Sequence, residues 1–253
     1  KILLNSWNKY SHGTIIGVAH STIRFWDLRY FSENIITKKN KAKLSKHPDY
    51  IAVNGRLAHI TLVEGNSSMP EILKTESLRY FHLKNKKLIK SKINKEIKKI
   101  LIVGDIDRAN TKSLISALDL NCNNLKKYNI SFRGHPGAPL INEAKKQGLK
   151  ISNETNIFND ITKNDLVVVS GSSSVAIEAL LMERSVIVYL SYDQLNMSPA
   201  SELNGIKFAK SPQELHDLII SCKGKKNAIN KNIFWLNKNL NNWNKHLNKL
   251  LNE

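Results

Sequence analysis

The sequence predicts an α/β protein with two Rossmann-like domains and parallel sheets, the N-terminal domain being incomplete. Three observations carry this. Short β-branched runs alternate with amphipathic stretches along most of the 253 residues, the pattern of a parallel, doubly wound sheet. The strand-like runs end in glycine, serine or histidine, which places turns and polar side chains at one end of each strand. Hydrophobic residues make up 41% of the chain, enough for buried cores, yet no apolar run is long enough to span a bilayer.

Each element follows from its own residues. Thr14–Ala19 reads as a strand ending in His20-Ser21-Thr22. Phe25–Phe31 mixes aromatics with Asp27 and has neither strand nor helix period, so a structured loop is expected. Lys38–His47 is a basic loop. Tyr50–Val53 is a strand, and Asn54 is expected to cap a helix that runs to about Glu64 and closes at Gly65. Ile72–Lys74 is a third strand, followed by Leu78–Phe81. The domain boundary is expected in the lysine-dense stretch 84–98, which separates a partial domain at 1–83 from a complete one at 99–229.

In that second domain Ile100–Val103 is a buried strand ended by Gly104-Asp105. Thr111–Leu120 carries a helical stripe at Leu114, Ile115 and Leu118. Tyr128–Phe132 is a strand that ends in Arg133-Gly134-His135-Pro136-Gly137. Ile141–Gln147 is helical, Lys150–Ser152 a short strand, and Ile157–Ile161 a short helix. Asp165–Val169 is a strand, Val175–Met182 a helix, and Ser185–Leu190 and Ile206–Phe208 are strands. Ser211-Pro212 opens a helix to about Ile220. Residues 230–253 repeat tryptophan and leucine at near-helical spacing, which predicts a closing helix that packs back across the domains. The chain begins at Lys1, inside an apolar run, and a fragment lacking N-terminal sequence is expected.

The organising stretch is Ser170-Gly171-Ser172-Ser173-Ser174, set between a strand and a helix. Such a junction collects unpaired backbone N–H groups and the positive end of the helix dipole. Three small hydroxyls after a glycine add donors without blocking a ligand, which points to an anion cradle suited to phosphate. The plain alternative is a single serine capping the helix. In an open α/β sheet, strand ends along one rim bind the ligand. His20, His135 and the serines are therefore expected on that rim, with His135 and the serines on neighbouring strands gripping one phosphate. Pro136 holds His135 extended. Glu178, one turn down the helix, is placed to accept hydrogen bonds from ribose hydroxyls, or is simply solvated.

Net charge is +18, which favours an acidic partner. The lysines crowd into loops at Lys38–Lys46, Lys84–Lys99 and Lys223–Lys231, without a nucleic-acid-binding motif beside them. No nucleic acid is expected; peripheral contact with an anionic inner membrane is. The two cysteines, Cys122 and Cys222, lie far apart and have no metal or redox spacing. From that cysteine usage a reducing, cytoplasmic location is expected.

These residues carry a resemblance. His-Pro at His135-Pro136 and the serines at Ser172–Ser174 are similar to motifs of bacterial sialyltransferases and Kdo transferases, which have the GT-B fold and use CMP-sugars. The segment Gly17–Thr22 followed by Arg29 resembles, more loosely, the CDP-glycerol glycerophosphotransferases. The segment His20–Tyr30, with Ala52–Gly55, Leu78–Tyr80 and Leu195–Pro199, resembles a family of surface carbohydrate or O-antigen biosynthesis proteins over about Thr14 to Leu247.

The resemblance implies a GT-B glycosyltransferase that transfers a CMP-activated acidic sugar, of Kdo or sialic type, to a glycan or lipid-linked glycan acceptor in surface polysaccharide or lipopolysaccharide synthesis. It implies His135, Gly171 and Ser172–Ser174 at the donor phosphate and Glu178 at the ribose. Asp193 and Asn196 would lie near the sugar or donor, and Arg133 where a basic residue precedes His-Pro. The proline common between that basic residue and His-Pro is Gly134 here, and an acidic-acidic-glycine motif is not evident. His20 or Asp27 would act at the reacting centre, with His135 stabilising the leaving group. No metal and no cofactor are expected; the nucleotide-sugar is a substrate. A CDP-alcohol transferase of the teichoic-acid type and a non-catalytic nucleotide-binding module are the alternatives.

Overall fold

The computed structural model describes residues 2–10, 13–23, 30, 48–65, 70–84, 96–201, 203–224 and 233–252. It divides into two compact units, Lys1–Lys84 with Lys231–Glu253, and Asn85–Asn230.

Unit 1 contains helix α1 (Ile2–Tyr10), strand β1 (Ile16–Val18), strand β2 (Tyr50–Val53), helix α2 (Arg56–Gly65) and strand β3 (Glu71–Lys74). A 3-10 turn (Leu78–Lys84) follows. The three strands are parallel in the order β1-β2-β3, with Ile16 opposite Tyr50 and Tyr50 opposite Glu71. Their core joins Ala19, Ile23, Ile51, Val53, Ala58 and Leu62. The expected strand Thr14–Ala19 shortens to three residues. Helix α1 was not foreseen; Asn5, Ser6 and Asn8 break up its apolar pattern. Asp27 and the basic loop Lys38–His47 lie outside the described residues, as does most of the 84–98 stretch.

Asn54 does not cap α2. Its side-chain amide donates instead to the carbonyls of Ala19 (2.9 Å) and Ser21 (3.3 Å), and so ties the loop after β1 to the end of β2. The correction has a physical cause: Asn54 is buried between two strand ends, where carbonyls without strand partners need donors more than the helix start needs an acceptor.

The closing segment also differs from expectation. The helix is confined to α8 (Asn241–Leu251), and Ile233–Trp235 lies against the strand ends before it. The Trp235 N–H donates to the Asn54 carbonyl at 3.0 Å, and the Ser77 N–H donates to the Trp235 carbonyl at 2.8 Å. A side chain on Gly55 would come within 1.9 Å of the Ile233 carbonyl oxygen, so only glycine allows this approach. Glu76 then fastens α8. Its carboxylate, 1% exposed, accepts the N–H groups of Asn242 (3.0 Å) and Trp243 (3.1 Å). These are otherwise unpaired donors of a first helical turn, where a negative charge is favoured.

Unit 2 holds β4 (Lys99–Val103), α3 (Arg108–Ala117), β5 (Asn129–Arg133), α4 (Ile141–Lys146), β6 (Lys150–Ile151) and α5 (Ile157–Lys163). Then come β7 (Leu166–Ser170), α6 (Val175–Leu181), β8 (Ser185–Tyr189), β9 (Ile206–Ala209) and α7 (Pro212–Ser221). All six strands are parallel, in the order β6-β5-β4-β7-β8-β9. This is the order of dinucleotide-binding folds, with its reversal between β4 and β7. β7 is buried at every residue, as a central parallel strand covered on both faces must be. The core gathers Ile100, Ile102, Leu114, Phe132, Val168 and Ile187, among others.

Asp165 pins the start of β4 by accepting the N–H groups of Lys98 (3.0 Å) and Lys99 (2.9 Å). The helix expected at Thr111–Leu120 begins earlier, at Arg108, because the Asp107 carboxylate accepts the Ala109 N–H and caps it. Arg184, fully buried, donates from Nε to the Ile161 carbonyl (3.1 Å) and from NH2 to the Thr162 carbonyl (3.0 Å), satisfying the C-terminal turn of α5.

Replacing Glu76 by alanine should destabilise unit 1 by about 2 kcal/mol, the scale of hydrogen bonds to a charged group. Urea unfolding followed by tryptophan fluorescence measures this, and Glu76→Gln, which keeps one acceptor oxygen, should lose less.

Candidate functional site

Unit 2 brings three loops to the carboxyl ends of β4, β5 and β7: Gly104–Asp107, Gly134–Pro139 and Ser170–Ser174. Open α/β sheets bind ligands at this rim, where the strand order reverses. His135 and the serines therefore share one rim, as the residues predict. They are not on neighbouring strands, however. β4 runs between β5 and β7, which sets their strand axes about 10 Å apart at the usual parallel spacing. His20 does not share the rim: it follows β1 in the separate three-stranded sheet of unit 1 and is exposed. Its neighbour Ser21 shares a hydrogen bond with the Tyr80 hydroxyl at 3.0 Å.

His135 is half-buried and held at both ends. Its carbonyl accepts the Ala138 N–H at 2.9 Å, and its Nδ1 accepts the Gly137 N–H at 3.0 Å. An Nδ1 that accepts carries no proton in the neutral ring, so Nε2 is the donor. That suits an imidazole that faces an anion. Gly134 is needed for the loop: a Cβ there would lie 1.9 Å from the Pro139 carbonyl oxygen. The proline of related motifs could not occupy that position in this loop.

Between His135 and the serines lies a residue that the sequence did not mark. Asp105, 3% exposed, accepts the Ser172 N–H (3.0 Å) and the Ser172 hydroxyl (2.7 Å) on one oxygen, and the Asp107 N–H (3.3 Å) on the other. Its own N–H donates to the Thr111 hydroxyl oxygen at 2.7 Å. A carboxylate of the chain thus holds donors that the sequence assigned to a phosphate. Ser173 donates its N–H to the Ser170 carbonyl at 3.1 Å. Ser174 stands at the N-cap of α6 without a side-chain capping bond, so the plain capping role is not realised there. The Ser170 hydroxyl is buried with no hydrogen-bond partner among the described residues. Gly171 packs against Asn110 and Leu190, and a Cβ there would meet the Asn110 amide nitrogen at 3.4 Å.

Arg133 points elsewhere. Its NH1 pairs with Asp160 at 2.6 Å and donates to the Glu154 carbonyl at 2.9 Å. Asp160 is buried and also accepts the Ser152 hydroxyl, so Arg133 serves the β5–α5 scaffold, which compensates a carboxylate that would otherwise be buried unpaired. Glu178 is buried, which removes the solvated alternative. Asp193 is exposed and accepts the Ser191 hydroxyl at 2.6 Å; Asn196 accepts the Ser198 N–H at 3.1 Å.

Beyond β8 and β9 the rim opens into a cavity of about 300 Å³. A larger one, about 620 Å³, lies at the opposite ends of β4 and β5 beside Lys98, Lys99, Lys127 and Lys223. Strand polarity favours the smaller as part of the site, because it shares the rim with His135 and the serines.

No protein-family model matches this chain, and no curated protein sequence does. Solved structures do. A protein described as a UDP-N-acetylglucosamine 2-epimerase from Listeria monocytogenes is similar over 86% of this chain and 61% of its own, at 17% identity with a TM-score of 0.52. The wall teichoic acid polymerase TagF is similar over 83% of this chain and 57% of its own, at 16% identity and a TM-score of 0.42. TarM is similar over 81% and 42%, at 16% identity and 0.42. The chain thus spans less than two thirds of each of these structures. The likeness establishes the fold as α/β of the GT-B type, with Rossmann-like parallel sheets.

Asp105→Ala should unfasten the serine turn, at a stability loss of about 2–3 kcal/mol for stranded buried donors. Differential scanning calorimetry measures it. Gly134→Ala should cost about 1–3 kcal/mol by overpacking against the Pro139 carbonyl, with the His135 imidazole resonances shifted in NMR spectra.

Proposed function

We propose that the chain is the nucleotide-sugar-binding part of a glycosyltransferase that builds a bacterial surface glycan. The observation that carries this is the rim of unit 2. There an imidazole with Nε2 as its donor and a hydroxyl-lined turn flank the reversal point of a Rossmann-ordered sheet. Transfer breaks the bond from the anomeric carbon to the donor phosphate oxygen and forms one to an acceptor hydroxyl. The leaving phosphate gains negative charge, and preorganised donors stabilise it. His135 Nε2 and the hydroxyls of Ser173 and Ser174 are the donors proposed. The acceptor hydroxyl loses its proton to a base; His20 is the candidate in unit 1, and Asp27 the alternative as base or nucleophile.

The finer reading, a CMP-activated acidic sugar, rests on the His-Pro and triple-serine resemblance. Glu178, buried one turn below the serines, is then proposed for the ribose. Asn196 and Asp193 are proposed for the sugar side, and Arg133 for the scaffold beneath. The acceptor proposed is a glycan or lipid-linked glycan. No helix among the described residues is long and apolar enough to cross a membrane. The net charge of +18 and the exposed Leu3, Trp7 and Tyr10 along one face of α1 support peripheral contact with an anionic bilayer.

Calorimetry with CMP, UMP, ADP and GDP tests the donor. CMP should bind at least about tenfold more tightly than the others, and His135→Ala should weaken it about tenfold, the loss of roughly one charge-assisted hydrogen bond. Equal binding of all four nucleotides overturns the cytidine assignment. Mass spectrometry of reaction products separates transfer of a sugar from transfer of a polyol phosphate.

A further inference from the structure

We infer that the cavity at the carboxyl ends of β8 and β9 is a sugar subsite, in which a single pyranose ring stacks on Tyr192. The inference rests on the nucleotide-sugar reading of unit 2 and adds residues that the sequence did not mark. At about 300 Å³ the cavity is at the lower limit of small-molecule sites, roughly 300–1,000 Å³. It fits one ring and is too small for a whole nucleotide-sugar.

Its walls match the two surfaces of a sugar. A pyranose has apolar C–H faces and a polar rim of hydroxyls. Tyr192 and Phe208 supply aromatic surface to the cavity; Gln194, Asn196, Ser191 and Lys210 supply polar groups. Tyr192 is 72% exposed, yet its ring is anchored. Its hydroxyl donates to Glu214 Oε1 at 3.1 Å, while Glu214 Oε2 accepts the Lys210 N–H at 2.7 Å. Glu214 is itself fixed, its N–H donating to the Ser211 hydroxyl at 3.2 Å. The Glu214 bond also holds the Tyr192 phenol above its ordinary pKa. An exposed ring tethered at its far end is a preorganised platform, with little rotamer freedom left to lose on binding.

The two amides are oriented as well. Gln194 Nε2 donates to Asn110 Oδ1 at 2.6 Å, and Asn196 Oδ1 accepts the Ser198 N–H at 3.1 Å. The opposite ends are an acceptor on Gln194 and a donor on Asn196. A sugar hydroxyl both donates and accepts, so the pair is complementary to it. The position agrees with the rest of the rim. β8 lies next to β7 on the side away from β4, so a ligand whose phosphate lies between the serines and His135 can extend its sugar over β8.

Saturation-transfer NMR on the whole chain tests this with glucose, N-acetylglucosamine, glucuronic acid and cytidine as probes. At least one monosaccharide should show transfer that Tyr192→Ala lowers about fivefold or more and that Lys127→Ala, at the opposite ends of the strands, leaves within about twofold. Tyr192→Phe, which keeps the ring and loses the Glu214 tether, should fall between. No transfer to any monosaccharide, transfer insensitive to Tyr192→Ala, or loss of cytidine instead of sugar overturns the subsite. CMP calorimetry separates the two readings. CMP bound without sugar removes the subsite and keeps the nucleotide reading. Sugar bound at Tyr192 without CMP keeps the subsite and removes the nucleotide reading.

Discussion

The Asp105 carboxylate is the constraint on which the rim of unit 2 depends. Strand order reverses between β4 and β7, so the loops that follow these strands diverge and leave a crevice. Asp105 closes its floor. It comes from the loop after β4, takes two bonds from Ser172 after β7, and takes a third from Asp107, which begins the next helix. A carboxylate buried this deeply is tolerated only when donors surround it. The requirement works both ways, because the serine turn receives a fixed position in return. Thr111 completes the arrangement: its hydroxyl accepts the Asp105 N–H at 2.7 Å from the first turns of α3. Loop, turn and helix are thus set by one group.

Much of this architecture was legible in the residues. The strands of unit 2 stood out because central parallel strands are buried on both faces and must be apolar throughout, as Leu166–Ser170 nearly is. His135-Pro136 and the serines stood out because proline and repeated small hydroxyls are rare at strand ends unless the backbone there has a specific shape. Asp105 did not, for a physical reason. An aspartate after a glycine at the end of a strand is ordinary turn chemistry, and its partner is 67 positions away. Nothing local in the sequence distinguishes a solvated turn aspartate from one that binds a distant serine. Strand order has the same property: the hydrophobic pattern shows that strands exist and leaves their neighbours open, so β4 between β5 and β7 was not foreseen. Arg133 illustrates a third case, in which a cation that reads as a ligand contact is claimed by a buried aspartate, Asp160.

Unit 1 depends on a related device at smaller scale. Its sheet has three short strands, little to stabilise a unit alone. The returning segment adds what the strands lack: Trp235 bonds both Asn54 and Ser77, bridging the loops after β2 and β3. Gly55 lets the backbone come that close. Glu76 then turns a helix start into an anchor. Asn54 and Glu76 are both polar and almost wholly buried, and both act on chain far from them in sequence. The N-terminal strands are therefore braced by residues more than 150 positions further along the chain, which a left-to-right reading of strands and helices does not show.

The charge of Asp105 also decides how the cradle can work. Two unit charges 4 Å apart repel by about 4 kcal/mol at an effective dielectric of 20, so a phosphate in direct contact with Ser172 would be opposed by the carboxylate that already binds it. For the proposed phosphate this moves the favourable place off Ser172, toward Ser173 and Ser174 on one side and His135 on the other. In the function proposed above, His135 and these serines would act on a common ligand across β4, which separates their strands. The Asp105 bonds give Ser172 a role distinct from its two neighbours: of three adjacent serines, alike in sequence, this one holds the turn, and the proposed phosphate contacts fall to Ser173 and Ser174.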